Sequence, residues 1–236
     1  MTSIAIITAR GGSKRIPRKN IMDFCGKPII AYSIEAALKS ELFDEVMVST
    51  DDEEIAEIAQ RYGAQIPFMR SEENSNDFAD TTDVLKEVLG EYHKQGKEFN
   101  YFCCIYPTAP FVTSQKIIKA FKILQNNDVY NVVPMVPFSF PPQRGMLKKG
   151  LFVQPAYPEH IEKRSQDLEE ILHDCGQFYW CKTEEFFKNS NILSNHTVPF
   201  IVSQTEVQDI DNPSDWELAE LKFLYMIKKA RAYECY

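Results

Sequence analysis

Apolar residues along this chain follow two alternating periods. Short runs rich in β-branched residues, such as Ile4-Ala5-Ile6-Ile7, are separated by longer stretches in which apolar positions recur every three or four residues. The short runs read as buried strands and the longer stretches as amphipathic helices. Their alternation is the sequence form of βαβ units stacked around a mostly parallel sheet, so the fold class is α/β. Strands are expected at 3–8, 45–50, 65–69, 100–105 and 129–135, then at 177–182 and 199–203. Helices fit between them: 28–39 opening at Pro28, 52–63 closing near Gly63, 81–94, and 113–126 with Thr113 or Ser114 as its cap. A last helix begins at Asp211-Asn212-Pro213, and Trp216, Ala219, Phe223 and Ile227 give it one core-facing stripe.

Residues 137–175 break the pattern. Pro137, Pro141, Pro142, Pro155 and Pro158 fall here, with little periodicity around them. So long an irregular stretch inside a compact domain is usually functional or part of an interface.

Composition narrows the picture. A chain of 236 residues is long enough for one substantial core, so 1–236 reads as a single domain carrying an excursion. The net charge of −8 excludes a general binder of nucleic-acid backbones, which needs clustered cations. The N-terminal apolar run is too short to span a membrane, and a cytoplasmic protein is expected. Six cysteines without a C-x-x-C pair read as reduced, mostly buried thiols rather than a disulfide framework.

Against that acidic background the segment Thr8 to Asn20 stands out, with five basic residues and two adjacent glycines in thirteen positions. Glycine lets backbone N–H groups approach phosphate oxygens, and Lys and Arg neutralise a triphosphate. Neither the P-loop spacing nor G-x-G-x-x-G is present. By composition alone the segment is either a phosphate grip of another kind or a solvated basic turn.

The run A-R-G-G-S-K-R-I-P-R-K-N (9–20), followed by G-K-P-I-I-A-Y-S-I (26–34) and V-S-T-D-D (48–52), resembles the CMP-sialic acid synthetase family of nucleotidyltransferases. P-T-A-P (107–110), G-Q-F-Y (176–179) and D-I-D-N-P-x-D (209–215) continue the match in order over nearly the whole chain. The resemblance implies a Rossmann-like, three-layer nucleotidyltransferase fold of the glycosyltransferase-A-like type. It also implies CTP and a nonulosonic, sialic-acid-like sugar as substrates, Mg²⁺ as cofactor, and no nucleic acid or membrane partner. It further implies a homodimer in which residues about 138–173 reach over the partner.

Carried over by position, Arg10, Gly11, Gly12, Ser13, Lys14, Arg15, Lys19 and Asn20 fall to the CTP phosphates, with Arg15 standing where these enzymes often have glycine. Thr81 and Thr82, in the stretch Asp80 to Asp83, fall to the cytosine; the same residues could simply cap a helix. Asp209 and Asp211 fall to the metal. Their separation by one residue also turns both carboxylates to one side of an extended segment, as a hard cation requires. Asp211 could equally be only a helix cap. Lys19 and Asp211 are the catalytic candidates, and the acceptor of the hydroxyl proton is either Asp211 or a metal-bound water.

On the sugar side, Tyr106 replaces a common glutamine and Phe111 falls where a leucine is usual. With S-F-P-P-Q-R (139–144), R-S-Q-D-L (164–168) and D-C-G-Q-F-Y-W (174–180), this region looks more like members acting on pseudaminic acid. Tyr106, Phe111, Arg144, Arg164 and Gln177 are therefore the sugar-binding candidates, with Arg164 equally readable as an ion-pair partner of Asp167 or Glu170. N-acetylneuraminate or legionaminate as substrate, or a non-catalytic binding role on the same fold, are the alternatives.

Overall fold

The computed structural model describes residues 1–76, 78–126 and 128–234, with no side-chain description for 231–234. The chain opens with β1 (Ser3–Thr8), a two-residue pair β2 (Asp23–Phe24) and β3 (Lys27–Pro28), then α1 (Ile29–Ser40), β4 (Glu45–Ser49) and α2 (Glu53–Arg61). It continues through α3 (Thr81–Lys94), β5 (Tyr101–Ile105), α4 (Ser114–Leu124) and β6 (Asn131–Pro137). A hairpin of β7 (Met146–Lys149) and β8 (Phe152–Pro155) precedes β9 (Leu172–Asp174) and β10 (Phe178–Lys182). The remainder is α5 (Thr183–Asn189), β11 (Thr197–Ile201) and α6 (Pro213–Glu234).

Among the described residues the main sheet has seven strands in the order β11-β6-β10-β5-β1-β4, with β9 added on β6. β4, β1, β5, β6 and β11 run one way, while β10 and β9 run against them. The sheet is thus mostly parallel, as expected. Alternation along β1 shows why it sits in the middle. Ala5 and Ile7 face α1, α2 and α4 in one apolar cluster, while Ile4 and Ile6 face α3 and α5 in another. A strand buried on both faces needs a continuous apolar run, which Ile4 to Ile7 supplies. A third cluster, formed by Ile16, Phe24, Ile29, Phe111 and the α6 stripe of Trp216, Ala219 and Phe223, packs the last helix against the first loop.

Helix starts follow local chemistry. Asp52 caps α2 by accepting from Ile55 N–H, and Thr113 rather than Ser114 caps α4. Asp80 and Asp83 form a reciprocal capping box on α3.

Two expectations need correction. The strand expected at 65–69 is only a bridge of Gln65 to Met47. Gln65 exchanges two backbone bonds with β4 and Arg70 N–H adds a third to Thr50, but Pro67 between them has no N–H to give. The excursion is also more ordered than its proline content suggested, since it contains the β7–β8 hairpin and β9. Of the cysteines, Cys103, Cys104, Cys175 and Cys181 are buried free thiols and Cys25 is a half-buried one. Cys235 lies outside the described residues.

Trp180 on β10 is fully buried, lies between Phe43 and Phe121, and donates its indole N–H to Ile117 O at 3.1 Å. Trp180→Ala is expected to reduce stability by about 3–5 kcal/mol. The urea midpoint at unchanged ligand conditions checks it; a loss under 1 kcal/mol, roughly that of an exposed position, would refute this account of the core.

Candidate active site

The strands β1, β4 and β5 end together, and ligands of open α/β sheets bind beyond such ends. A cleft of about 530 Å³ lies there. Arg10, Ser13, Lys14, Arg15, Lys19 and Asn20 form one wall, Thr81 and Asp80 at the start of α3 form another, and Tyr106 to Thr108 form the floor beyond β5.

The loop from Ala9 to Asn20 is held at several points. The Asn20 side-chain amide donates to Arg10 O at 2.9 Å, closing the loop's neck. Gly11 N–H donates to Asp51 Oδ1 at 2.8 Å. Gly11 also passes so close to α2 that a Cβ there would lie 2.7 Å from Asp52 Oδ2, which explains this glycine by space. Arg18 sits in the left-handed region (φ 57°) and forks onto Asp52 at 2.5 and 3.0 Å, with Glu54 also on its guanidinium. An arginine held in so unfavourable a conformation needs such anchors. Lys19 donates to Ile210 O at 2.6 Å. Burial lowers the Lys19 ammonium from its ordinary value, while Asp211 and Asp209 oppose that shift.

That bond brings the distant D-x-D segment to the loop. Ile210 is buried between the exposed Asp209 and the partly buried Asp211, and neither carboxylate lines the cleft itself. The cap of α6 is made by other residues: Asp215 Oδ2 accepts from Asp211 N–H and Asn212 N–H, and Asn212 Oδ1 accepts from Asp215 N–H. The Asp211 carboxylate is therefore not the helix cap; it pairs with Arg15 at 2.6 Å. Two carboxylates with the rest of the shell left to water and phosphate oxygens suit a hard divalent cation. Among the described residues no cluster of three or more His, Cys, Asp or Glu side chains offers a closed protein cage.

The sugar-side candidates separate. Tyr106 lines the cleft, and its hydroxyl lies 3.3 Å from Thr81 Oγ1. Phe111 does not: at 1% exposure it belongs to the cluster under α6. Gln177 is 2% exposed and donates to Glu206 O at 2.7 Å, but its backbone carbonyl receives Tyr106 N–H, so it supports the wall from behind. Arg144 and Arg164 lie in the excursion, on Ser165 and Asp167 respectively, away from this cleft wall. Thr82 and Gly12 are likewise outside the lining, and Asp209 faces a neighbouring groove with Gln208 and Lys222.

Sequence reasoning missed Arg70. It lines the cleft although buried, held by Ser49 Oγ at 2.9 Å and Ser49 O at 2.6 Å. Burial pulls its guanidinium below the ordinary arginine value, with Asp51 and Glu87 opposing. A lone arginine after Pro67-Phe68-Met69 carries no spacing signal. Asn74 and Asn76 on the following loop also reach the lining, and Asn76 O accepts from Arg10.

The family model for cytidylyltransferases matches residues 4–212. A pseudaminic acid cytidylyltransferase from Campylobacter jejuni subsp. jejuni is 40% identical over 235 residues, covering 99% of this chain and 100% of its own. A CMP-N,N'-diacetyllegionaminic acid synthase from Legionella pneumophila subsp. pneumophila is 33% identical over 223 residues, covering 93% of this chain and 95% of its own. The solved CMP:2-keto-3-deoxy-manno-octonic acid synthetase complexed with CTP matches 97% of this chain and 100% of its own, with TM-score 0.68 and 19% identity. At that identity the likeness is one of fold.

Arg18 holds the Asp52 carboxyl below the ordinary carboxylate value; partial burial opposes this and Ile55 N–H reinforces it. Because the folded-state value is depressed, the pair's contribution is complete above the unfolded value of about 3.9 and is lost as pH falls through the folded one. Arg18→Met is expected to cost on the order of 1 kcal/mol at neutral pH and to flatten the acid limb of the stability curve. Urea unfolding at pH 7 and at pH 3 measures this, and an equal loss at both values would contradict it.

Proposed function

Because the chain belongs to the cytidylyltransferase family, we propose that it transfers CMP from CTP to the anomeric hydroxyl of pseudaminic acid, releasing pyrophosphate. The observation that carries this reading is the junction at Lys19. Its ammonium joins the basic loop to the Asp209–Asp211 segment at the mouth of the cleft. A triphosphate needs clustered cations, and an in-line substitution at phosphorus needs charge stabilised at the attacking and leaving oxygens.

In this reading Arg10, Lys14, Arg15 and Lys19 offset the triphosphate charge, with Gly11, Gly12, Ser13 and Asn20 shaping the loop around it. Thr81 meets the cytosine at the N-terminus of α3, and Thr82, outside the lining, does not. Asp209 and Asp211 hold Mg²⁺, which when bound neutralises phosphate oxygens and makes a coordinated water more acidic. The hydroxyl proton passes either to Asp211 or to a water that the metal would make more acidic. Tyr106 meets the sugar, while Phe111 and Gln177 shape that region from behind. The name of the relative that is 40% identical over the full length supports pseudaminic acid as the sugar. Free thiols throughout the described cysteines accord with a cytoplasmic site of action.

The protein acts as a homodimer in this reading, with residues 138–173 crossing to the partner. In support, Leu151, Phe152 and Val153 at the hairpin are 97%, 78% and 62% exposed. An apolar tip of this kind suits an interface. Arg144 and Arg164, away from their own cleft, would then serve the partner's.

Pyrophosphate release from CTP with pseudaminic, N-acetylneuraminic and legionaminic acids tests the function, with pseudaminic acid expected to be fastest. Equal or better turnover of N-acetylneuraminic acid overturns the choice of sugar. Asp211→Asn is expected to lower kcat by roughly 10²–10³ with the fold intact by circular dichroism. For the dimer, light scattering should give twice the monomer mass, falling to one for the Leu151→Asp, Phe152→Asp double variant.

A further inference from the structure

The segment that carries Asp209 and Asp211 is tied down along its length. Ahead of it, Lys116 pairs with the Glu206 carboxylate at 2.6 Å and the Gln177 amide donates to Glu206 O at 2.7 Å. From α6, Lys222 reaches back past the helix start, and its ammonium donates to Val207 O at 2.6 Å and to Gln208 Oε1 at 3.0 Å. The Gln208 amide nitrogen donates in turn to Asp209 O at 3.1 Å. Beyond Asp209, Lys19 donates to Ile210 O at 2.6 Å, and Asp215 accepts the Asp211 N–H at 3.0 Å.

Donor counting fixes the Gln208 amide. An ammonium only donates, so the amide oxygen must face Lys222 and the NH₂ must face the Asp209 carbonyl. The amide thus bridges α6 to the main chain of Asp209 in a single orientation. Asp209 is exposed, so packing restrains its side chain little and its aim is set by the main chain from which it springs. We propose that Lys222 is a positioning residue that acts through Gln208 to hold the Asp209 carboxylate in register with Asp211 for the divalent cation. The inference rests on the reading of Asp209 and Asp211 as metal ligands and deepens it by naming what orders them. Groups that orient metal ligands contribute to affinity without touching the metal.

The sign of the effect separates this role from one of charge. Lys222 lines the same groove as Asp209. A cation there repels a divalent ion, so a lysine acting by charge alone would bind the metal more weakly than its neutral replacement. A lysine acting by position gives the opposite result.

The experiment titrates Mn²⁺ into the protein–CTP complex without sugar, with water proton relaxation reporting the protein-bound ion. Lys222→Met is expected to weaken Mn²⁺ binding roughly tenfold. Gln208→Leu changes no charge and should weaken it similarly, while Lys222→Arg, which keeps both charge and donors, should bind as wild type does. In turnover, the Mg²⁺ concentration for half-maximal pyrophosphate release should rise by the same factor in the Met and Leu variants, with kcat at saturating Mg²⁺ held. Should Lys222→Met fail to fold, Gln208→Leu carries the test. Unchanged or tighter Mn²⁺ binding in either variant overturns the inference. Asp211→Asn protein that binds Mn²⁺ as wild type does, or wild-type protein that binds none, instead refutes the metal reading on which it rests.

Discussion

Five cations within thirteen residues repel one another, and the loop from Thr8 to Asn20 keeps its shape only because acceptors from elsewhere meet them. Asp51, Asp52 and Glu54 stand where β4 passes into α2, and they bind Gly11 N–H and Arg18. Asp52 does two jobs, since the carboxylate that caps α2 also anchors the arginine held in the left-handed region. Ile210 O does the corresponding work at the other end, drawing Lys19 toward the chain's last quarter. Everything else at the cleft is arranged around this neutralised loop. It faces Thr81 and Tyr106 because β1 and β5 are neighbours in register.

Much of this was legible in the sequence because it rests on local rules. The apolar run of β1, the caps at Asp80 and Thr113 and the stripe of α6 are each set by neighbours within a few positions. The density of charge in the loop is also a local fact. What sequence could not tell was which side chains turn into the cleft. Phe111 lies close to a cleft residue, Thr108, yet it packs under α6, because a phenyl ring beside Trp216 and Phe223 is better buried than wetted. Arg70 goes the other way: a charged residue after an apolar run is drawn inward because Ser49 offers it two acceptors. Both outcomes depend on partners remote in sequence. The missing strand at 65–69 has a simpler cause in Pro67.

Asp209 and Asp211 show how a structure can separate readings that spacing leaves open. A carboxylate just before a helix is as good a cap as a metal ligand. Here Asn212 and Asp215 satisfy the first turn of α6 between them, which leaves the Asp211 carboxylate to Arg15. The charged group has a use that its helix does not account for.

The sheet itself divides the two kinds of recognition. Its parallel part, β4, β1 and β5, carries the basic loop and its anchors. The antiparallel strand β10, inserted between β5 and β6, brings Gly176, Gln177 and Tyr179 behind Tyr106. Gly176 takes the left-handed conformation (φ 59°) at the turn before β10, which favours glycine there. In the proposed reading the first part grips CTP and the second meets the sugar. Changes on β9 and β10 could then alter the sugar without disturbing the phosphate grip, because none of the loop's anchors comes from those strands. This division accords with a family whose members, at 40% and 33% identity to this chain, are named for different nonulosonic acids.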